Sequence, residues 1–254
     1  MGDRVEGAQR SLQVLRDKNQ VAQALGECLA RAYARYLREG ESGRRPFQVA
    51  VSGGSLPPLL RAALDGMRGA GGDFSCENTC WLLVDERLVP SVHVDSNYGA
   101  LREALAGLVD AARIVGIDEA RIPHGAAAVA AAYQTRLGQQ GVSPDTVDAV
   151  LLGMGEDGHT ASLFPGREEA RRWDSLQRWV MGVTDSPKPP PQRITLTLDA
   201  IDAARSRVFV VTGAGKADAV QHIFAEGNRR QLPAGLVGDA QWLLDAAAAS
   251  RLPS

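Results

Sequence analysis

Apolar and polar positions along the chain follow two alternating patterns. Short runs of consecutive apolar residues predict buried strands, namely FQVAV, CWLLV, DAVLLG and RVFVV, with SLQVLRD and RWVMGVT as further candidates. Stretches between these runs carry apolar residues at intervals of three and four, which predicts helices. Continuous apolar strands that alternate with helices are typical of a parallel sheet buried on both faces. We therefore predict an α/β fold, with an open, mostly parallel sheet flanked by helices on both faces.

The predicted helices occupy most of the remaining sequence. Apolar residues recur at helical spacing between Val21 and Leu37, so the first long helix is predicted over about residues 19–38. The other predicted helices are PPLLRAALDGM, SNYGALREALAGL with Ser96 as its N-cap, AAVAAAYQTRLGQQG, AGKADAVQHIF and the C-terminal DAQWLLDAAAASRL. The alternation contains no internal repeat and no linker. We expect a single domain over residues 1–254, with residues 1–10 flexible.

Composition and charge exclude several classes of protein. The chain has 254 residues, enough to bury a sizeable core, and its net charge of −2 gives no overall field for nucleic acid or an anionic membrane. No apolar run reaches the length of about 20 residues needed to span a bilayer. The N-terminal MGDRVEGAQR lacks the apolar core of a signal peptide. We expect a cytoplasmic protein that binds neither nucleic acid nor a membrane, and that holds any anionic ligand through local cations.

Metal and disulfide chemistry find little support in the sequence. Cys28, Cys76 and Cys80 do not form a disulfide framework. Cys76 and Cys80 could share a metal ion, but no histidine or further cysteine lies near them in sequence. No metal or other cofactor is predicted.

Four polar clusters directly follow the strongest predicted strands. They are SGGS (residues 52–55) after FQVAV, DER (85–87) after CWLLV, DGH (157–159) after DAVLLG, and TGAGK (212–216) after RVFVV. Ligands of open α/β sheets bind beyond the carboxyl ends of the strands. We therefore expect all four clusters to meet at one edge of the sheet.

Two of these clusters, with an arginine elsewhere in the chain, could bind phosphate. Gly53 and Gly54 let the backbone approach an anion, Ser55 adds a hydroxyl and the following helix start adds positive potential, although the same residues could form an ordinary turn. Lys216 is followed by Ala217 rather than Ser or Thr, which argues against a Walker A nucleoside triphosphatase. Lys216 could still contact a phosphate, or it could be a solvated surface lysine. An arginine after the proline-rich SPKPPPQ, Arg193, could grip phosphate oxygens through two N–H groups or lie free on the surface.

The remaining two clusters could perform acid–base chemistry on a carbonyl compound. His159 titrates near neutrality, and Asp157 could orient its ring. Arg87 could stabilise an oxyanion, while Asp85 and Glu86 could position that arginine or a substrate hydroxyl. DER could instead be a surface ion-pair group that contributes little.

Taken together, these stretches resemble the 6-phosphogluconolactonase family. The matching segments are VSGGSLP, VDERLVP followed by DSNYG, LLGMGEDGHTASLFPG, SPKPPPQRITLTLDAI and VTGAGKADAV, and the resemblance extends from about residue 49 to residue 252. It implies the Rossmann-like α/β fold shared with glucosamine-6-phosphate isomerase/deaminase. It also implies hydrolysis of 6-phospho-D-glucono-1,5-lactone to 6-phosphogluconate in the oxidative pentose phosphate pathway, without a cofactor. Ser55 stands where many relatives carry threonine, and it keeps the hydroxyl.

The resemblance also implies a role for each candidate residue. His159 would activate water and then protonate the leaving ring oxygen, Asp157 would support His159, and Arg87 would stabilise the oxyanion. The implied phosphate-binding residues are Gly53, Gly54, Ser55, Arg193 and Lys216, and the substrate-positioning residues are Asp85 and Glu86. The expected partner is a small sugar phosphate lactone, and the expected assembly is a monomer or a weak homodimer.

Two other functions stay open on the sequence. A glucosamine-6-phosphate isomerase/deaminase would use its base to move a proton between C1 and C2, but DER and HTASLFP favour the lactonase. A sugar-phosphate-binding protein without activity would keep only the phosphate contacts. The presence of His159, Asp157 and Arg87 together argues against that function.

Overall fold

In the described part of the chain, ten strands and seven α-helices follow one another in the order expected of an α/β fold. A computed structural model describes residues 11–70, 74–173, 175–225, 228 and 231–253, so the predicted flexible segment 1–10 lies outside the described residues. The strands are β1 (Ser11–Leu15), β2 (Phe47–Val51), β3 (Thr79–Leu83), β4 (Asp85–Arg87), β5 (Ile114–Val115), β6 (Ala149–Leu152), β7 (Val180–Val183), β8 (Arg193–Leu196), β9 (Arg207–Val211) and β10 (Gln241–Asp245).

Seven of these strands form one parallel sheet. Its order is β1-β10-β9-β6-β2-β3-β5, and every neighbouring pair is parallel. All residues of β2, β3 and β6 are buried, as their continuous apolar sequences require in a sheet covered on both sides. The predicted open, mostly parallel α/β sheet is confirmed.

A second, smaller sheet is antiparallel and has the order β4-β8-β7. Val84 joins it to the main sheet: its N–H donates to the Val51 carbonyl in β2, and its own carbonyl accepts from the Leu196 N–H in β8. The chain therefore leaves β3 and at once enters β4, which places Asp85 and Arg87 just beyond the carboxyl end of β3.

The helices cover the sheets and supply much of the buried surface. They are α1 (Lys18–Arg38), α2 (Leu56–Gly69), α3 (Asn97–Leu105), α4 (Ala126–Gln139), α5 (Leu198–Ala203), α6 (Ala217–Phe224) and α7 (Pro233–Leu236), with short 3-10 turns at Ala111–Arg113, Glu119–His124, Pro144–Thr146, Glu168–Ala170 and Ala214–Lys216. Asp17 caps α1, and Ser96 caps α3 as predicted, accepting from the Gly99 N–H at 3.0 Å. Within the described residues, no helix combines the length and the apolar composition that crossing a bilayer requires.

The C-terminal segment corrects one sequence prediction. DAQWLLDAAAASRL was predicted to be a helix, but QWLLD forms β10, which lies between β1 and β9. Trp242, Leu243 and Leu244 are consecutive and completely buried, which a strand between two neighbours allows and a helix with one exposed face does not. The alanines that follow form turns, with the Ala248 N–H donating to the Asp245 carboxylate.

Candidate active site

A cavity of about 360 Å³ lies beyond the carboxyl ends of β2, β6 and β9. The four polar clusters predicted from the sequence all reach it, because parallel strands end at the same edge of the sheet. Its walls include the predicted Gly53, Gly54, Ser55, Asp85, Arg87, His159, Arg193 and Lys216, together with Ser52, Asn97, Glu156, Thr160, Lys188 and Thr212. Asp157 contacts this wall through His159.

His159 lies on the loop after β6 and is held from two sides. Its Nδ1 is 2.5 Å from the Asp157 Oδ1, and its ring stacks on Phe164 with 4.5 Å between the ring centroids. Since a carboxylate can only accept, Nδ1 carries the proton of a neutral His159 ring and Nε2 carries the lone pair. Nε2 is therefore the atom that can take a proton from a bound molecule.

A glycine beneath this pair makes the close approach possible. A Cβ on Gly155 would lie 2.0 Å from His159 Nδ1 and 2.5 Å from Asp157 Oδ1, distances that no side chain tolerates. The backbone closes the same turn, with the Gly155 N–H donating to the His159 carbonyl at 2.8 Å. The glycine at position 155 of GMGEDGH thus has a direct structural reason.

Lys188 completes the cluster around His159. It was not among the site residues predicted from the sequence. Its Nζ lies 3.2 Å from Asp157 Oδ1 and 3.4 Å from His159 Nδ1. Burial lowers the pKa of His159, and the Lys188 charge lowers it further, while Asp157 opposes both. Burial acts to raise the pKa of Asp157, but the contacts with His159 and Lys188 leave it below its usual value. Near neutral pH the His159 ring is therefore neutral and the Asp157 carboxylate is charged. These are the states that a general base and the carboxylate that orients it require.

Arg193 holds the loop that carries Lys188. Its Nε donates to the Pro190 carbonyl at 3.0 Å, and its Nη2 donates to the carbonyls of Lys188 and Pro189 at 3.0 and 3.1 Å. Its Nη1 is 3.4 Å from the Ser162 hydroxyl, so at most one of its five N–H groups remains for a ligand. A two-point grip on phosphate stays a prediction, and it would require Arg193 to release at least one of these contacts.

Arg87 and Ser52 present polar atoms that have no protein partner in the described part of the chain. The Arg87 Nη1 donates to the Asp95 carbonyl at 2.6 Å, whereas its buried Nε has no hydrogen-bond partner there. The buried Ser52 hydroxyl, one residue before Gly53, also lacks one. Unpartnered buried polar groups are costly, so both atoms mark places where a polar ligand would be stabilising.

Asn97 explains the first glycine of the SGGS cluster. Its Nδ2 donates to the Asp85 carbonyl at 2.8 Å, and a Cβ on Gly53 would lie 1.8 Å from its Oδ1. Gly54 has a φ of +70°, which favours glycine. The Asp85 carboxylate accepts from the Ser162 hydroxyl at 2.8 Å, so it is fixed on the cavity wall.

Glu86 corrects the sequence prediction that it positions substrate. Its Oε1 accepts from the backbone N–H groups of Arg87 and Asn97, and its Oε2 accepts from the Tyr98 N–H and the Ser96 hydroxyl. Burial raises its pKa to about 7, although these hydrogen bonds act in the opposite direction. The side chain is 1% exposed and holds the start of α3, rather than lining the cavity.

The cavity is cationic although the whole chain is slightly acidic. Arg87, Lys188, Arg193 and Lys216 line it, against the acids Asp85 and Glu156. Burial lowers the pKa of Lys216, and Glu156 opposes that change. No group of three metal-ligating side chains was found in the described ranges. The arrangement therefore suits an anionic ligand that meets a neutral imidazole.

Comparison with known proteins shows the family of this chain. Residues 16–244 match the family described as glucosamine-6-phosphate isomerases/6-phosphogluconolactonase. The chain belongs to this family. It is 39% identical to the 6-phosphogluconolactonase of Rattus norvegicus, over 91% of the chain and 90% of the relative, and 38% identical to that of Homo sapiens, over 91% and 86%.

Solved structures agree with the fold of this glucosamine-6-phosphate isomerase/6-phosphogluconolactonase family. The 6-phosphogluconolactonase from Trypanosoma cruzi superposes with a TM-score of 0.77, covering 97% of this chain and 98% of that one at 24% identity. The resemblance inferred from the motifs is thus confirmed at the level of the family. Because the family description includes two activities, the reaction has to be argued from the cavity.

Proposed function

We propose that this protein hydrolyses 6-phospho-D-glucono-1,5-lactone to 6-phosphogluconate, a step of the oxidative pentose phosphate pathway. The observation that carries the proposal is a neutral His159, fixed through Nδ1 by Asp157, that faces a cationic cavity. The names of the relatives that match nearly the whole chain support the same reaction.

In the proposed reaction, His159 acts first as base and then as acid. Nε2 takes a proton from water while the water oxygen forms a bond to the lactone carbonyl carbon. The resulting oxyanion lies against Arg87, whose Nε has no other partner among the described residues. The bond between that carbon and the ring oxygen then breaks, and the imidazolium returns its proton to the ring oxygen. The new carboxylic acid then releases its proton to the solvent, which leaves 6-phosphogluconate and the neutral His159.

The phosphate lies at the opposite end of the sugar in this proposal. Gly53, Gly54 and Ser55 precede α2, and their backbone and hydroxyl groups bind phosphate oxygens together with Lys216. Arg193 adds at most one N–H group. Fixing the phosphate limits the orientations of a flexible substrate, so that its carbonyl meets the base in one geometry.

Parallel assays of three compounds test the proposal. We expect rapid hydrolysis of 6-phosphogluconolactone, much slower hydrolysis of unphosphorylated gluconolactone, and no turnover of glucosamine 6-phosphate. The Lys216→Ala variant should raise KM for the phosphorylated lactone more than it lowers kcat, since Lys216 binds the non-reacting end. Turnover of the amino sugar without lactone hydrolysis would contradict the proposal and favour an isomerase/deaminase. Binding of sugar phosphates without any turnover would favour a non-catalytic protein.

The compartment and the assembly stay predictions. We propose a cytoplasmic protein, and the support is chemical: Cys28, Cys76 and Cys80 are all free, as is usual in a reducing compartment. Analytical ultracentrifugation would test the expected monomer or weak homodimer.

A further inference from the structure

A second cavity, of about 340 Å³, lies at the opposite end of the sheet from the candidate active site. It opens between α1 and the first residues of β9 and β10. The strand β9 runs from Arg207 on this cavity to Val211 on the candidate active site. At about 3.3 Å per residue, the two cavities are roughly 13 Å apart along the strand. They are therefore separate places in the molecule.

Five arginines line this cavity. Arg31, Arg35 and Arg38 lie on one face of α1 at helical spacing, Arg207 is the first residue of β9, and Arg205 lies just before that strand. Among the described residues of its wall, Asp239 is the single acidic one. This end of the sheet thus concentrates positive charge in a chain whose net charge is −2.

Backbone carbonyls fix two of these guanidinium groups without neutralising them. The Arg35 Nη1 and Nη2 donate to the carbonyls of Arg205 and Asp148, at 3.0 and 3.2 Å. The Arg207 Nη1 donates to the carbonyls of Asp202 and Ala204, at 2.7 and 2.6 Å. The Nε of each arginine is buried and has no hydrogen-bond partner within the described residues. Two N–H donors beside this cavity therefore lack a hydrogen-bond acceptor among the described residues.

The acids nearby leave part of the charge uncompensated. Glu39 pairs with Arg205 and lies 4.0 Å from the Arg35 Nε. Asp148 lies 4.0 Å from the Arg205 Nε, but both terminal nitrogens of Arg45 hold it more closely, at 2.6 and 2.8 Å.

The two remaining arginines have no acidic partner in the described structure. Among the described residues, the Arg31 Nη2 reaches only the neutral Cys28 Sγ and Gln241 Oε1, each at 3.2 Å, and no ion pair there involves Arg38. Clustered cations without counter-charges repel one another, so an anion bound among them would be stabilising.

We propose that this arginine cavity binds a small phosphate-bearing anion. Guanidinium groups match phosphate oxygens in charge and in planar donor geometry. The volume lies at the lower end of the range for small-molecule sites and is close to that of the candidate active site. The proposal does not depend on the reaction proposed above.

Equilibrium dialysis with radiolabelled inorganic phosphate, at fixed ionic strength, tests this site. Arg31→Gln/Arg38→Gln removes two exposed cavity arginines with little risk to folding. Arg44→Gln/Arg68→Gln is the matched control, because it removes the same charge from exposed arginines outside the cavity. Ser55→Ala/Lys216→Ala isolates the candidate active site. Circular dichroism checks that each variant is folded.

We expect the cavity variant to lose one bound phosphate per chain, or to bind it at least tenfold more weakly, relative to the control. The Ser55→Ala/Lys216→Ala variant should retain that phosphate. Lactone hydrolysis by the cavity variant should match that of the control. The hydrolysis assay therefore tests the proposed function, and the dialysis tests the arginine cavity independently of it. Equal phosphate binding by the cavity and control variants would overturn the proposal.

Discussion

Two side chains, together with burial, set the protonation of the candidate base. Asp157 holds the Nδ1 proton of His159, and Lys188 lies against both of them. The carboxylate favours the imidazolium, whereas burial and the ammonium disfavour it, and the net result is a lowered pKa. His159 should therefore remain a neutral base at pH values somewhat below its usual pKa.

Lys188→Met should move the acid limb of kcat/KM to higher pH. The ammonium of Lys188 opposes protonation of His159, so its removal raises the pKa of the ring, and the base is lost earlier as pH falls. The measurement is a profile of lactone hydrolysis between about pH 5 and pH 8, corrected for the spontaneous reaction. Lys188→Arg keeps the charge and should keep the limb near its wild-type position. An unchanged limb in the methionine variant would show that Lys188 does not act on His159.

Sequence patterns identified His159 and Asp157 but not Lys188. The first two are neighbours on one turn, so their interaction is local and visible in DGH. Lys188 reaches them from a loop 29 residues further along. A signal was present in SPKPPPQR: prolines lack N–H groups, so the carbonyls of this loop need a donor from elsewhere, and Arg193 supplies it. This need of the loop competes with phosphate for the N–H groups of Arg193.

At the level of secondary structure elements, Glu86 connects the antiparallel sheet to α3. It follows Asp85 in β4 and satisfies the first N–H groups of the helix, including that of Asn97. Since Asn97 in turn contacts the Asp85 carbonyl, the carboxylate fixes the wall of the cavity indirectly. Its contribution is to stability and geometry.

Glu86→Ala should lower the free energy of unfolding by about 2–4 kcal/mol, because several buried N–H donors lose their acceptor. Urea denaturation measures this change, and Glu103→Ala on the exposed face of the same helix is the control. Glu86→Gln keeps one acceptor oxygen, so its free energy of unfolding should lie between those of Glu86→Ala and Glu103→Ala. A loss of kcat with unchanged stability in Glu86→Ala would instead indicate the substrate contact that the sequence suggested.

The strands of the main sheet show where sequence patterns succeed and fail. β2, β3, β6 and β9 are runs of buried residues closed by polar clusters, and all were recognised. β10 was missed because four alanines follow it and favour a helix. RWVMGVT does form a strand, β7, but it belongs to the antiparallel sheet. Sheet membership depends on contacts between distant segments, which local patterns do not contain.

In the whole molecule, parallel strand order determines where chemistry gathers. Every polar cluster that follows β2, β3, β6 and β9 reaches one cavity, as the sequence predicts. The amino ends of the strands meet at the opposite edge, where the arginine cavity lies. No sequence motif predicted that second cavity, since its arginines come from α1 and from the start of β9, which meet only in the folded chain.

Hydrolysis of 6-phosphogluconolactone by the wild type and by His159→Ala is the most direct test of the proposed function. We expect wild-type catalysis well above the spontaneous rate and a loss of kcat/KM on the order of 10²–10⁴-fold in the variant, as for removal of a general base. His124→Ala, at an exposed histidine away from the cavity, should be unaffected. Equal rates for the wild type and His159→Ala would contradict the role of His159, and with it the mechanism built on this cavity.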